Sequence, residues 1–299
     1  MGIWKRPRTI IAVSVLALSG LGLTACASDT AALEGDETDT VRMAVTDLQG
    51  MEELQREFGA FKKTFEDKTG YTLEFYPVND RTAAAAALTS DRVDLVFTGP
   101  AEYVVLHERT DAEPVVSIER PGYRSVIYTS AESGVTKLED LKGKKVAMSD
   151  IGSTSGHLGP SQLLMDGGVN PLEELEVVTV GDAVHQALVR GDVAAVGIGH
   201  HDYEEFTEGQ ADTFPVLVEG DPLPADVIMV RKGFDEKATA KIKEAFVENW
   251  DELLAAMLEG KDNAKYQDAR LIESTDADYD RVRDMYRAIG VDDFANAPK

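Results

Sequence analysis

Residues 149–156 read Ser-Asp-Ile-Gly-Ser-Thr-Ser-Gly, a run of three hydroxyls (Ser153, Thr154, Ser155) bracketed by Gly152 and Gly156. The apolar residues before it, Val146 to Met148, predict a strand, and the stretch after it predicts a helix that closes near Gly167 and Gly168. At a helix start the first backbone N–H groups lack intrahelical partners, and the macrodipole favours negative charge. Hydroxyls donating from the same spot, with glycines that let the backbone come close, suit an oxyanion. Simple N-capping needs one such hydroxyl, and three in a row exceed it. The same strand–turn–helix context houses the G-x-S-x-G nucleophile elbow, but here the central residue is Thr154. The downstream histidines, His185, His200 and His201, also form no recognisable triad pattern. Catalysis is therefore not expected. His200-His201-Asp202 raises a metal site, yet neighbouring side chains on an extended segment point to opposite faces, and no third ligand is evident. Neither a metal nor a cofactor is expected.

The elements that must position this loop follow from periodicity. Strands are predicted over 41–46, 71–78, 93–98, 115–119, 125–129, 145–148, 177–180, 193–199, 214–218 and 227–230. Between them fall helices over 51–68, 82–88, 102–108, 182–189 and 202–207, and long ones over 236–258 and 277–289. In the first helix Leu54, Phe58, Phe61 and Phe65 share one face. Alternation of strand and helix implies an α/β fold with parallel sheets covered on both faces. Ligands on such sheets bind beyond the carboxyl ends of the strands. The loops of interest are then 46–50, 78–81, 98–100, 149–155, 180–182 and 199–201.

Charge narrows the partners. The 299 residues carry 30 Lys+Arg against 54 Asp+Glu, a net charge of −24. Residues 1–25 hold Lys5, Arg6 and Arg8 and no acid, so without them the charge is −27. Nucleic-acid binding requires a basic face to replace phosphate counterions, and a polybasic membrane patch requires the same. Both are excluded on this ground. With 43% hydrophobic residues the chain has enough for an ordinary core.

The amino-terminal residues give an address. A positive start, a short apolar run over 9–23 and small residues before Cys26 form a secretory signal over 1–25. Leu23-Thr24-Ala25-Cys26 resembles the lipobox of bacterial lipoproteins, which implies a lipidated Cys26 and an outer-face or periplasmic location. Residues 26–40 then read as the lipidated Cys and an acidic, flexible tether.

Taken along its length, the mature chain resembles the phosphate/phosphite/phosphonate substrate-binding proteins of ABC importers. The resemblance rests on Asp94-Leu95-Val96-Phe97-Thr98-Gly99-Pro100 with Tyr103, on Gly122-Tyr123-Arg124-Ser125, on residues 138–144, on Ser153-Thr154-Ser155-Gly156 and on Pro222-Leu223-Pro224-Ala225-Asp226, in that order. It implies a two-lobed clamp of the type II periplasmic-binding class, with strand crossovers near 123–125 and 224–227. Lobe I would comprise 41–123 plus 226–299, and lobe II 124–225. It further implies that Ser153, Thr154 and Ser155 donate to phosphoryl oxygens and that Tyr123 supplies a hydroxyl or a pocket wall. Asp226 would accept from a protonated oxygen or a ligand amine, which selects for a P–OH form because bare charges repel. Three positions depart from the family pattern: Gly181 stands where a ligand-contacting His is frequent, Arg81 where a Tyr is frequent, and His201 where an acid can hold an amino group. Arg81 would offer a forked cationic donor and His201 a second donor, which moves expectation away from aminoalkylphosphonates. The implied protein is a monomer, not an enzyme, that hands a small phosphorus oxyanion to an ABC permease. A ligand-sensing subunit of the same fold is the alternative, and a Ser-dependent hydrolase the remote one.

Overall fold

A computed structural model describes residues 40–48 and 50–294. The expected signal sequence, Cys26 and the expected tether lie outside the described residues, apart from Thr40. Among the described residues eleven strands, labelled in chain order, make two sheets. The first is ordered β11-β4-β10-β3-β1-β2 and contains β1 (Thr40–Val45), β2 (Thr72–Phe75), β3 (Leu95–Thr98), β4 (Glu113–Glu119), β10 (Asp226–Val230) and β11 (Arg270–Ile272). The second is ordered β7-β6-β8-β5-β9 and contains β5 (Ser125–Thr129), β6 (Lys145–Met148), β7 (Glu176–Thr179), β8 (Ala195–Gly199) and β9 (Val216–Glu219).

Both sheets are mixed, where strand–helix alternation predicts parallel ones. β1 runs parallel to β2 and β3, and β6 parallel to β7 and β8. β10 runs antiparallel to β3 and β4, and β5 antiparallel to β8 and β9. The crossovers are the reason. The chain leaves the first sheet after β4, at the edge where β1 and β3 also end, and enters the second sheet beside the end of β8, with Ser125 opposite Gly199. It returns from β9 to β10 in the same way, with Val227 opposite Thr98. A strand that enters a sheet at its carboxyl edge must run against its neighbours there. The two crossing segments, 120–124 and 220–225, therefore sit at the edge where ligands of α/β sheets bind.

Packing follows the sequence pattern. Helix α1 (Met51–Thr69) buries Leu54, Phe58, Phe61 and Phe65 to 2% exposure or less. Phe58 meets Phe97 of β3 edge-on at 5.9 Å, and Phe97 packs on Tyr266 at 5.5 Å, so the core of the first sheet runs directly to the residues at its edge. The helices that matter next are α2 (Ala84–Thr89), α3 (Pro100–Thr110), α4 (Gly159–Asp166), α5 (Val184–Val189) and α6 (His200–Phe206). The helix predicted over 236–258 is two helices, α7 (Glu236–Glu248) and α8 (Trp250–Met257). They part at Asn249, whose side-chain amide donates to the Ala245 carbonyl at 3.0 Å, a local bond that competes with the helix ladder. Helix α9 (Asp280–Ala288) buries Val282, Met285 and Tyr286. Among the described residues no helix is long and apolar enough to cross a membrane.

Candidate functional site

The carboxyl edge of the first sheet gathers polar residues at β1, β4, β10 and β11, and a glycine at β3. Asp47 follows β1, Gly99 follows β3 and leads into α3, Arg120 follows β4, Asp226 opens β10, and Lys265 and Tyr266 precede β11. Opposite them, the edge of the second sheet presents Asp150 and residues 153–155 after β6, and His200 to Asp202 after β8.

Thr154 joins the two edges. Its buried hydroxyl accepts from the Ala101 N–H in the first turn of α3 at 3.0 Å, and the Tyr123 hydroxyl is a second hydrogen-bond partner. Residues 154–158 form one π-helical turn ahead of α4, a form frequent at functional sites. Ser153 caps that turn, its hydroxyl accepting from the Gly156 N–H at 3.2 Å. His157 is buried and its Nδ1 accepts from the Gly152 N–H at 3.3 Å. Burial lowers its pKa and so favours the neutral, accepting ring. With Ser153 and His157 holding the loop, the half-buried Ser155 hydroxyl is left without a hydrogen-bond partner among the described residues. A Cβ on Gly199 would lie 3.0 Å from Ser155 Oγ and 2.9 Å from Asp202 Oδ2, so the glycine that ends β8 brings this hydroxyl and that carboxylate together.

On the facing edge the charges are paired. Arg81 Nη1 donates to Asp47 Oδ1 at 2.6 Å and to Glu102 Oε1 at 2.7 Å, while Nη2 lies 3.7 Å from Asp150 Oδ2. Lys265 Nζ donates to Asp47 Oδ2 at 2.9 Å. Burial alone would raise Asp47, but Lys265 and Arg81 outweigh it and hold the carboxyl far below the usual range. Asp226, 1% exposed, accepts from the Tyr266 hydroxyl at 2.7 Å and from Arg120 Nη2 at 3.1 Å. Arg120 Nε lies 3.1 Å from Asp226 Oδ2 without hydrogen-bonding geometry, so one buried guanidinium N–H has no acceptor. The guanidinium lies 3.4 Å over the Tyr123 ring. Burial raises Asp226 above its ordinary value, against Arg120 and Tyr266, which favour the ionised form. Burial also raises the Tyr123 hydroxyl, leaving it protonated and able to donate.

The residues singled out in the sequence fall out as follows. Ser153, Thr154, Ser155, Tyr123 and Asp226 come together at the facing edges. Ser153 acts as a cap, and both Asp226 oxygens already face Tyr266 and Arg120. Arg81, expected as a forked donor to the ligand, is at the same place, but its fork already faces Asp47, Glu102 and Asp150. His201 is exposed in the first turn of α6, and it is the neighbouring Asp202 that turns inward, where burial raises its carboxyl against Lys265, His201 and Arg120. Arg120, Glu102, Lys265 and Tyr266 were not indicated by spacing. Asp47 sits in a loop that strand order had marked, as does Asp150. Among the described residues no cluster of three or more His, Cys, Asp or Glu is placed to hold a metal ion.

Comparison with known proteins gives a family and several relatives. Residues 43–279 match the family model described as the phosphonate periplasmic substrate-binding protein of ABC transporters. The phosphate-import protein PhnD of Mycolicibacterium smegmatis is 27% identical over 282 residues, which covers 84% of this chain and 86% of that one. The tetrathionate sensor histidine kinase TtrS of Salmonella typhimurium is 25% identical over 185 residues, covering 59% of this chain but 29% of the kinase. The solved structure of PhnD1 from Prochlorococcus marinus in complex with methylphosphonate superposes with a TM-score of 0.67 at 17% identity, over 85% of this chain and 99% of that one. That likeness establishes the fold, the two-lobed type II periplasmic-binding architecture.

Proposed function

Because the chain belongs to the family of phosphonate substrate-binding proteins of ABC transporters, we propose that it captures a small phosphorus oxyanion between its two facing sheet edges and delivers it to an ABC permease. The family is one of extracytoplasmic transport proteins rather than enzymes. The observation that carries the reading is the Thr154 hydroxyl, anchored across the cleft to the Ala101 N–H and to Tyr123. This anchoring presents the start of the π-helical turn, with the unpartnered Ser155 hydroxyl, to the edge that holds Arg120. Ser155, Thr154 and the adjacent N–H groups are the donors, and Ser153 shapes the turn. Arg120 supplies cationic character next to Tyr123, while Asp226 anchors Arg120. Arg81 ties the pocket wall together, and His201 at the exposed rim supplies a donor when the rim closes. Phosphate, phosphite and methylphosphonate are the candidate ligands. The lobes are 41–123 plus 226–299 and 124–225, hinged at the two crossings, and Cys26 carries the lipid that holds the protein at the membrane.

Calorimetric titration of residues 27–299 with phosphate, phosphite and methylphosphonate tests the reading. Saturable heat with at least one of them is expected, and no heat with any would sink it. A sensor role is the second reading, favoured by the similarity to part of a sensor kinase. Loss of phosphorus-oxyanion uptake in a deletion strain supports the importer, and unchanged uptake with altered gene response supports the sensor. For the anchor, Cys26→Ser is expected to move the protein to the soluble fraction with binding intact. Continued membrane retention would show that Cys26 is not what holds it.

A further inference from the structure

Glu102 is, with Arg120, Lys265 and Tyr266, one of four residues at this site that neither spacing nor resemblance indicates. It lies in the first turn of α3 with a side chain 3% exposed, and one of its oxygens, Oε1, accepts from Arg81 at 2.7 Å. The other, Oε2, stands at the seam of the cleft. A Cβ on Gly99 would lie 3.0 Å from Oε2 and 3.8 Å from both Asp226 Oδ1 and Thr154 Oγ1. Glu102 Oε2 and the anchor of the loop thus both border the space beside Gly99.

The charged groups around it are already matched. Arg81, from the segment before α2, is shared among Glu102, Asp47 after β1 and Asp150 after β6. Lys265, before β11, faces Asp47. Arg120, after β4, faces Asp226 at the start of β10. From α9, the Tyr286 hydroxyl donates to the Ala101 carbonyl at 3.3 Å, and burial, with the Glu102 charge second, raises its pKa. From α6, the inward-turned Asp202 adds a carboxylate with no cation of its own within ion-pairing distance among the described residues. An oxyanion entering this cleft adds negative charge where no unmatched cation waits, in surroundings that screen poorly. A proton is the counter-charge at hand. Asp47 holds two cations and Asp226 has Arg120 to itself, whereas Glu102 has a part share of one. Asp202 has none but is only half-buried, so water can meet its charge, while the Glu102 side chain is 3% exposed. A protonated carboxyl becomes a hydrogen-bond donor.

Resting on the reading of the cleft as a phosphorus-oxyanion site, we propose that the protein binds its ligand together with one proton carried by Glu102, whose carboxylic acid then donates to the anion from Oε2. Glu102 is thus a specificity-determining residue that fixes the charge of the bound complex. Burial and the neighbouring Asp47 both push its carboxyl above the usual range, outweighing Arg81 and the hydrogen bond from its own backbone N–H.

The test is calorimetry of methylphosphonate binding at a pH above the ligand's last ionisation, in two buffers of different ionisation enthalpy. Wild type is expected to take up close to one proton from buffer, and its affinity to fall up to about tenfold per pH unit, the slope for one linked proton. In Glu102→Gln, whose amide donates without titrating, uptake is expected near zero and the slope flat. Uptake that persists in this variant would place the proton on the ligand or on another carboxylate of the cleft, Asp226 or Asp202, and overturn the proposal. So would loss of binding at every pH in a variant that melts as wild type does. Binding by wild type without proton uptake overturns the role of Glu102 whether or not the variant folds. Binding of none of methylphosphonate, phosphate or phosphite between pH 5 and 9 would instead overturn the oxyanion reading itself, and this proposal with it.

Discussion

On the proposed reading of the cleft, Thr154 and Arg120 divide the work of the site between an uncharged donor and a neutralised cation. Ser155→Ala and Thr154→Val each remove a hydroxyl offered to an ionised ligand, worth about 1–3 kcal/mol of affinity. Thr154→Val also strands the Ala101 N–H that its hydroxyl accepts from, so it is expected to be the costlier of the two. Titration of both variants checks this, and unchanged affinity in both would place the ligand elsewhere. Arg120→Met leaves Asp226 buried beside a single neutral donor, Tyr266. Breaking a buried pair by removing one partner typically costs about 3–5 kcal/mol. Urea unfolding is expected to show a loss of that order at neutral pH, and Arg120→Met with Asp226→Asn is expected to recover part of it. No recovery in the double variant would mean that Arg120 stabilises by packing on Tyr123 rather than through Asp226. Asp47 gives a pH signature of known sign. Its folded pKa is depressed by Lys265 and Arg81, so its contribution is present above the ordinary carboxyl pKa of about 4 and is lost as pH falls below it. Asp47→Asn is therefore expected to be less stable than wild type at neutral pH, with the gap narrowing below about pH 4. A gap that persists undiminished there would show a packing effect.

Elements explain why some of this is written in the sequence and some is not. The apolar face of α1 is legible because helix periodicity alone places Leu54, Phe58, Phe61 and Phe65 together, and all four are buried. Phe58→Ala removes a ring that meets both Phe61 and Phe97, and a loss of about 3–5 kcal/mol is expected in denaturant unfolding. A loss below about 1 kcal/mol would mean that the core refills the space. The loop over 153–155 is legible for a different reason, since hydroxyls and glycines at a strand–helix junction have few other uses. Strand direction is not legible this way. β5 and β10 have ordinary strand patterns, and only the crossings at the shared edge make them run against their neighbours. The carboxylate–cation pairs are less legible still. Lys265 meets Asp47 across 218 positions of chain, and Arg120 meets Asp226 across 106, so neither pair leaves a local spacing. His201 and Asp202 show the limit from the other side: a count along the chain reaches the start of α6, but which of two adjacent residues turns inward is decided by how α6 sits on β8.

At the scale of the whole molecule, a chain at −24, and −27 without its first 25 residues, is proposed to capture anions. The long-range field therefore opposes every encounter, and attraction must come from donors within a few ångströms. In the cleft the arginines and the lysine are already matched by carboxylates, so no local positive potential projects outward to steer the ligand in. Salt screens over about 10 Å at 0.1 M. That distance is long compared with a hydrogen bond from Ser155 and short compared with the reach of acids spread over the surface. Added salt is thus expected to remove the repulsion between the acidic surface and an approaching oxyanion while leaving the contacts made after entry nearly intact. Stopped-flow association of methylphosphonate with residues 27–299 checks this. The rate constant is expected to rise or stay level between about 0.01 and 0.15 M salt, with a dissociation rate that changes less. An association rate that falls several-fold over that range would mean that a positive field at the cleft mouth does the steering. Arg81, Arg120 and Lys265 would then have to project charge past the carboxylates that pair with them.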